Sequence, residues 1–105
     1  MKVMFVCAGG MSTTMTAKKL EEISAKQGAP MSVKAFGTSD FETALQAEKY
    51  DIVLVAPQIR HRFDTIKNVV SKFEGVKCEK IPPQMYAPME PAVKKLFAFI
   101  SEVMN

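Results

Sequence analysis

The sequence predicts an α/β fold: an open four-stranded parallel sheet of order 2-1-3-4 with helices on both faces and a cysteine loop after strand 1. Three observations carry this. Strand-like and helix-like stretches alternate four times along 105 residues, the pattern of right-handed βαβ crossovers. Two apolar runs, Val3-Met4-Phe5-Val6 and Ile52-Val53-Leu54-Val55-Ala56, show no polar alternation, as expected of strands buried on both faces. The first run stops at Cys7, and a loop of small residues leads from it into a helix-like segment.

Lys2 to Val6 reads as central strand 1. From Thr13 to Gln27 there is no proline or glycine, and Thr13, Thr16, Ala17, Leu20, Ile23 and Ser24 recur at helical spacing, while Lys18, Lys19, Glu21, Glu22 and Lys26 face away. Gly28 and Pro30 terminate this helix. In Met31 to Phe36, Met31, Val33 and Ala35 alternate with Ser32 and Lys34, predicting an edge strand with one better-buried face. Ser39-Asp40-Phe41-Glu42 matches a capping box and opens a helix to about Lys49. The β-branched run at Ile52 to Ala56 is the second central strand, stopped by Pro57. From Ile59 to Phe73, Phe63, Ile66, Val69, Val70 and Phe73 form one helical face that ends at Gly75. Val76 to Ile81 reads as strand 4, after which Pro82-Pro83 forces a loop. Pro91 suits a first helical turn, and Val93, Leu96, Phe97, Ile100, Val103 and Met104 form the apolar face of the last helix.

The length fits one compact domain over residues 1–105. A formal charge of +3, from 14 basic and 11 acidic side chains without a Lys/Arg block, argues against nucleic acid as a partner. No apolar run approaches the roughly 20 residues needed to span a bilayer, and Met1 to Val6 is too short for a signal peptide. A cytoplasmic protein with no direct membrane insertion is expected. Cys7 and Cys78 lie far apart, and His61 is the single histidine, so neither a metal site nor a disulfide framework is expected. Nothing in the sequence calls for a cofactor.

In an open α/β sheet, ligands bind beyond the carboxyl ends of strands, where the strand order reverses. The expected crevice is therefore built from the Cys7 to Thr14 loop, the turn at Pro57 to Arg60 and the Pro82 to Pro88 loop. The loop opens a helix, so free backbone N–H groups and the positive dipole end face Cys7, favouring a thiolate and a phosphate beside it. Gly9 and Gly10 permit close approach of backbone to a ligand, and Ser12, Thr13 and Thr14 add hydroxyls. Neither G-x-x-x-x-G-K-[ST] nor G-x-G-x-x-G occurs. Cys7 is thus the strong nucleophile of the crevice, although a cysteine at a strand end is also a common small core residue.

Cys7-Ala8-Gly9-Gly10-Met11-Ser12-Thr13-Thr14, directly after the first strand, resembles the phosphocysteine loop of the cytoplasmic IIB components of the bacterial sugar phosphotransferase system, in the lactose/cellobiose/chitobiose family. Ile52-Val53-Leu54-Val55-Ala56-Pro57-Gln58-Ile59 is similar to that family's third strand and Pro-Gln turn. The resemblance covers nearly the whole chain, except that Pro82 and Pro83 stand where a more polar turn is expected. It implies a phosphoryl relay. Cys7 takes a phosphoryl group from a histidine of a IIA protein, holds it as a thiophosphate ester, and passes it to a sugar, of disaccharide or β-glucoside type, bound by the membrane protein IIC. Loop amides from Ala8 to Thr14 surround the transferred oxygens. Pro57, Gln58 and Tyr86 are candidate walls of the site, with a purely structural turn the alternative for Gln58.

Low-molecular-weight tyrosine phosphatases and arsenate reductases also place a cysteine loop after strand 1, in the pattern C-x-x-x-x-x-R. Here Thr13 stands at the arginine position, which removes the bidentate phosphate clamp. No aspartate follows Asp64, and Glu90 before Pro91 is the sole late-loop substitute for a general acid. A non-enzymatic binding module with a structural Cys7 is the third reading. Several residues keep two readings: Met11 as docking tip or packing residue, His61 as partner contact or solvated helix residue, Cys78 as core or resolving thiol, and Lys18 and Lys19 as anion attractors or plain surface.

Overall fold

Strand β1 (Lys2–Cys7) lies between β2 (Ser32–Gly37) and β3 (Ile52–Val55), and β4 (Lys77–Lys80) pairs with the far side of β3. All three ladders are parallel, giving the order β2-β1-β3-β4. The computed structural model describes residues 1–8 and 11–104, with no side chain described at 11–13.

The two apolar runs behave as their composition demands. Val3 to Val6 and Ile52 to Ala56 are wholly buried, because helices cover the sheet on both sides. Each aliphatic side chain taken out of water there contributes roughly 1.5–3 kcal/mol. Helix α1 (Met11–Lys26) and α4 (Glu90–Met104) pack on each other, and right-handed crossovers place α2 (Phe41–Ala47) and α3 (Phe63–Val70) on the opposite face. Helix α1 buries Thr16, Ala17, Leu20, Ile23 and Ser24, and α4 buries Val93, Leu96 and Ile100, the faces that their periodicity marks.

Helix α1 ends in a Schellman motif. The Ala29 amide donates to the Ser24 carbonyl at 3.0 Å and the Gly28 amide to the Ala25 carbonyl at 3.2 Å, with Gly28 at φ +77°. Two side chains then fasten β2 to this helix. Ser24 Oγ accepts from the Met31 amide at 3.0 Å, and Glu21 Oε2 accepts from the Val33 amide at 2.9 Å. The Glu21 contact occupies a donor on the outer edge of β2, where an unpaired strand invites wrong pairing.

Three local expectations need correction. Ser39 and Glu42 do not form a capping box: Asp40 is the N-cap of α2 and makes no side-chain capping bond. The Asp40 amide closes a turn onto the Gly37 carbonyl at 3.1 Å, so Ser39 is spent inside that turn. The helix expected from Ile59 to Phe73 is shorter, because Pro57–Arg62 forms 3-10 turns first. Ile59 leaves helical geometry at φ −119°, ψ 26° while its side chain is buried, so packing overrides the helical pattern there. Within the segment read as a loop after Pro82, Pro83–Met85 makes one further 3-10 turn.

At the amino edge of the sheet, Glu48 accepts from Lys2 Nζ at 2.8 Å, Lys34 Nζ at 2.9 Å and the Tyr50 hydroxyl at 2.9 Å. The Lys2 and Lys34 bonds, then that of Tyr50, hold its carboxyl down at about 2, against an ordinary 4.5. A carboxylate depressed in the folded state stabilises fully above its ordinary value and loses that contribution as pH falls through the folded one. Acid unfolding should therefore show a loss of stability between about pH 4.5 and pH 2. The Glu48→Gln variant should lack that part of the profile, measured by chemical denaturation at successive pH values.

Candidate functional site

Cys7 is the last residue of β1 and pairs with Gly37 of β2. On the other side Val6 pairs with Val55, and the Ala56 amide donates to the Val6 carbonyl at 2.9 Å. The chain after β1 turns toward β2 and the chain after β3 toward β4, so a crevice opens between them at the carboxyl edge, where such sheets bind ligands. Cys7 stands in its floor. It is 5% exposed, and its Sγ lies 3.8 Å from the Phe36 carbonyl oxygen, while the neighbouring Ala8 is exposed. Helix α1 begins at Met11, so its N-terminal turn follows the cysteine after a short connection.

The expected site residues separate into three groups. Cys7, Ala8 and Pro57 gather at the carboxyl edge, with Pro57 half-buried and Gln58 beside it exposed to solvent. Thr14 is exposed on the first turns of α1. The readings placed on Gly9 and Gly10, and on the side chains of Met11, Ser12 and Thr13, lie outside the described residues. Tyr86 is held to the same edge by its backbone: its ring is largely buried, and its carbonyl accepts from Thr16 Oγ1 at 2.8 Å. Thr16 is completely buried one turn into α1. This bond ties the helix that follows Cys7 to the loop between β4 and α4.

Strand register also brings a segment that the sequence reading leaves out. Because Gly37 pairs with Cys7, the turn from Gly37 to Asp40 stands beside the thiol. The signal was available in the β2 pattern, since a parallel neighbour of strand 1 must end at the same edge. Glu90 is exposed at the start of α4, with its carboxylate 3.7 Å from Lys94 one turn along the helix. His61 is exposed in the 3-10 segment rather than in a helix proper.

Cys78 is core. It pairs with Val53, which pairs with Met4, so it lies two strands across and three residues along from Cys7. At 4.8 Å per strand and 3.3 Å per residue that is about 14 Å, too far for a disulfide, which needs Cα atoms within about 7 Å. Burial pushes its thiol up to about 11, and Lys67 only partly opposes this.

Over residues 2–95 the sequence matches the family described as PTS system, Lactose/Cellobiose specific IIB subunit. It is 28% identical to a galactose-specific EIIB component of Lactococcus lactis subsp. cremoris, with 98% of this chain and 95% of that one covered. It is 27% identical to a lactose-specific EIICB component of Lactococcus lactis subsp. lactis, over 95% of this chain but 17% of the relative's length. The fold is that of the lactose-specific IIB domain from Streptococcus pneumoniae, with TM-score 0.83, 18% identity, and 100% and 98% of the two chains covered. A cellobiose-specific IIB protein from Borrelia burgdorferi is also similar, with TM-score 0.73, 23% identity, and coverage of 100% and 92%.

Two measurements check this arrangement. In a Cys7→Ser variant the remaining thiol should resist iodoacetamide at pH 8 until denaturant is added, as a buried Cys78 requires. Thr16→Val keeps the side-chain volume but deprives the Tyr86 carbonyl of a donor, and should lower unfolding free energy by about 1–3 kcal/mol.

Proposed function

This chain belongs to the lactose/cellobiose-specific IIB family of the sugar phosphotransferase system, and we propose that it is the cytoplasmic phosphocarrier of a sugar uptake system, working as one IIB domain. In this reading Cys7 takes a phosphoryl group from a IIA histidine and passes it to a sugar held by the membrane protein IIC. The observation that carries it is the position of Cys7: the end of a fully buried central strand, at the reversal of strand order, directly ahead of the N-terminal turn of α1.

The chemistry is two displacements at phosphorus. In the first, a P–S bond forms at Cys7 Sγ as the P–N bond of phosphohistidine breaks, and the thiol proton ends on the released imidazole nitrogen. In the second, a sugar hydroxyl oxygen forms a P–O bond as the P–S bond breaks, and the hydroxyl proton returns to sulfur. Both transition states spread negative charge over the phosphoryl oxygens. Backbone N–H groups of the Ala8 to Thr14 segment and the positive end of α1 are the groups available to stabilise that charge. Pro57, Gln58 and the Tyr86 segment form the walls. A sugar of disaccharide or β-glucoside type is the acceptor, selected by IIC.

Hydrolysis is disfavoured by the residue types present. Thr13 occupies the position of the phosphatase arginine, and Glu90 is engaged along its own helix by Lys94. A site without clamp or acid suits transfer to a second protein better than attack by water.

Intact-mass measurement after incubation with phosphoenolpyruvate, the general phosphotransferase proteins and a IIA protein should show one phosphate adduct on the wild type and none on Cys7→Ser. An unmodified wild type in the presence of phosphorylated IIA would overturn the reading.

A further inference from the structure

The 3-10 segment after β3 carries Arg60, His61 and Arg62 in succession, all exposed. It leaves the sheet beside the cysteine strand, because the Ala56 amide is bonded to the Val6 carbonyl. The segment is fixed rather than loose: Pro57 restricts its first turn, and Ile59 is buried to 4% exposure in the hydrophobic core.

From this base the two arginines reach to opposite sides. Arg60 lines a groove of about 410 Å³ with Pro57, Lys80, Ile81, Pro83 and Phe99, at the carboxyl ends of β3 and β4. Arg62 lines a second cleft, of about 220 Å³, with Thr38, Phe41, Glu42 and Ile66. Thr38 directly follows Gly37, the register partner of Cys7. Arg60 and Arg62 therefore border separate clefts on either side of the segment that leaves β3 next to the cysteine strand. Lys80, level with Val55, adds a third cation, held 5.0 Å above the Phe63 ring.

Among the described residues neither arginine is in an ion pair. Lys2 and Lys34 are paired with Glu48, Lys19 with Glu22, and Lys94 with Glu90, while other lysines such as Lys26 and Lys72 share the unpaired state; what sets the two arginines apart is their place on a fixed segment at the carboxyl edge of the sheet. Glu79 and Glu42 line the same two clefts without closing on the arginines. Guanidinium groups left unpaired on a rigid rim have forks free for external carboxylates.

We infer that Arg60 and Arg62, with Lys80, form a docking rim that steers an acidic surface of the phosphoryl-donor protein onto the Cys7 crevice. This rests on the phosphocarrier reading. The donor is the partner favoured, because it arrives by diffusion, and steering acts on diffusional encounter. The lactose-specific relatives unite C and B components in one chain, whereas the galactose- and cellobiose-specific relatives are B components matched over 95% of their length. A fixed positive rim adds least where the onward step is intramolecular, while the donor is a separate encounter in either arrangement. The donor also brings a phosphoryl group of negative charge, so attraction and delivery act in the same direction.

The test is the second-order rate of phosphoryl transfer from phosphorylated IIA to this protein, followed by rapid quench from low salt to 0.5 M NaCl. The Arg60→Glu/Arg62→Glu double variant should be slowed about tenfold or more at low salt. It should approach the wild type at high salt, where the Debye length shrinks to a few ångströms. Lys26→Glu/Lys72→Glu, the same charge change at the helix ends remote from the crevice, should show a much smaller effect. The circular dichroism spectrum and the unfolding midpoint should be kept in both. A double variant phosphorylated at the wild-type rate with the wild-type salt dependence overturns the rim while leaving the phosphocarrier reading intact. Slowing confined to the onward step, from Cys7 to sugar-loaded IIC, overturns the donor assignment. A wild type that accepts nothing from phosphorylated IIA removes both.

Discussion

Burial of β1 on all sides is the constraint from which the rest follows. The strand has a hydrogen-bonded neighbour at each edge and a helical layer over each face, and Val3 to Val6 have no exposed surface. A strand so enclosed cannot slip by one residue without breaking two ladders and turning every packed side chain over. Its last residue is therefore held in place to a degree that a loop residue is not, and that residue is Cys7. A group at the end of a rigid element keeps its geometry more precisely than one carried on a loop.

The remaining elements add to this control from different directions. Helix α1 is stopped by Gly28 and strapped by Ser24 and Glu21 to the start of β2, at the end of the sheet opposite the thiol. The Thr16 bond to the Tyr86 carbonyl fastens the loop between β4 and α4 to α1. At the far edge of the sheet, Lys2, Lys34, Tyr50 and Glu48 form a polar cluster that anchors the starts of β1 and β3. The two edges differ in chemistry: the amino edge ties Lys2 and Lys34 to Glu48, while at the carboxyl edge Arg60 and Arg62 are in no ion pair among the described residues.

The fold was largely legible because it rests on period and composition. Uninterrupted apolar runs identify central strands, alternation in Met31 to Phe36 identifies an edge, and faces at helical spacing identify the covering helices, each from local chemistry alone. Where local patterns failed, a longer-range contact outweighed them. The Ser39 capping box matches by spacing, yet the turn needed to bring the chain off β2 consumes Ser39. Ile59 fits the helical face of α3, yet burying it against the sheet costs the segment its helical geometry.

For the site, the division has the same physical origin. Sequence alone determined that a cysteine closes a buried strand ahead of a glycine-containing loop and a helix, and that the phosphatase arginine is absent, because these are matters of order along the chain. Only the tertiary structure decided which distant segments share the crevice. Parallel register set Gly37 beside Cys7, the three-residue, two-strand offset kept Cys78 away, and the 3-10 path after Pro57 sent Arg60 and Arg62 to opposite sides. Such proximities arise from hydrogen-bond register between strands and from the packing of one buried isoleucine, interactions whose partners are far apart in sequence and leave no periodic trace within it.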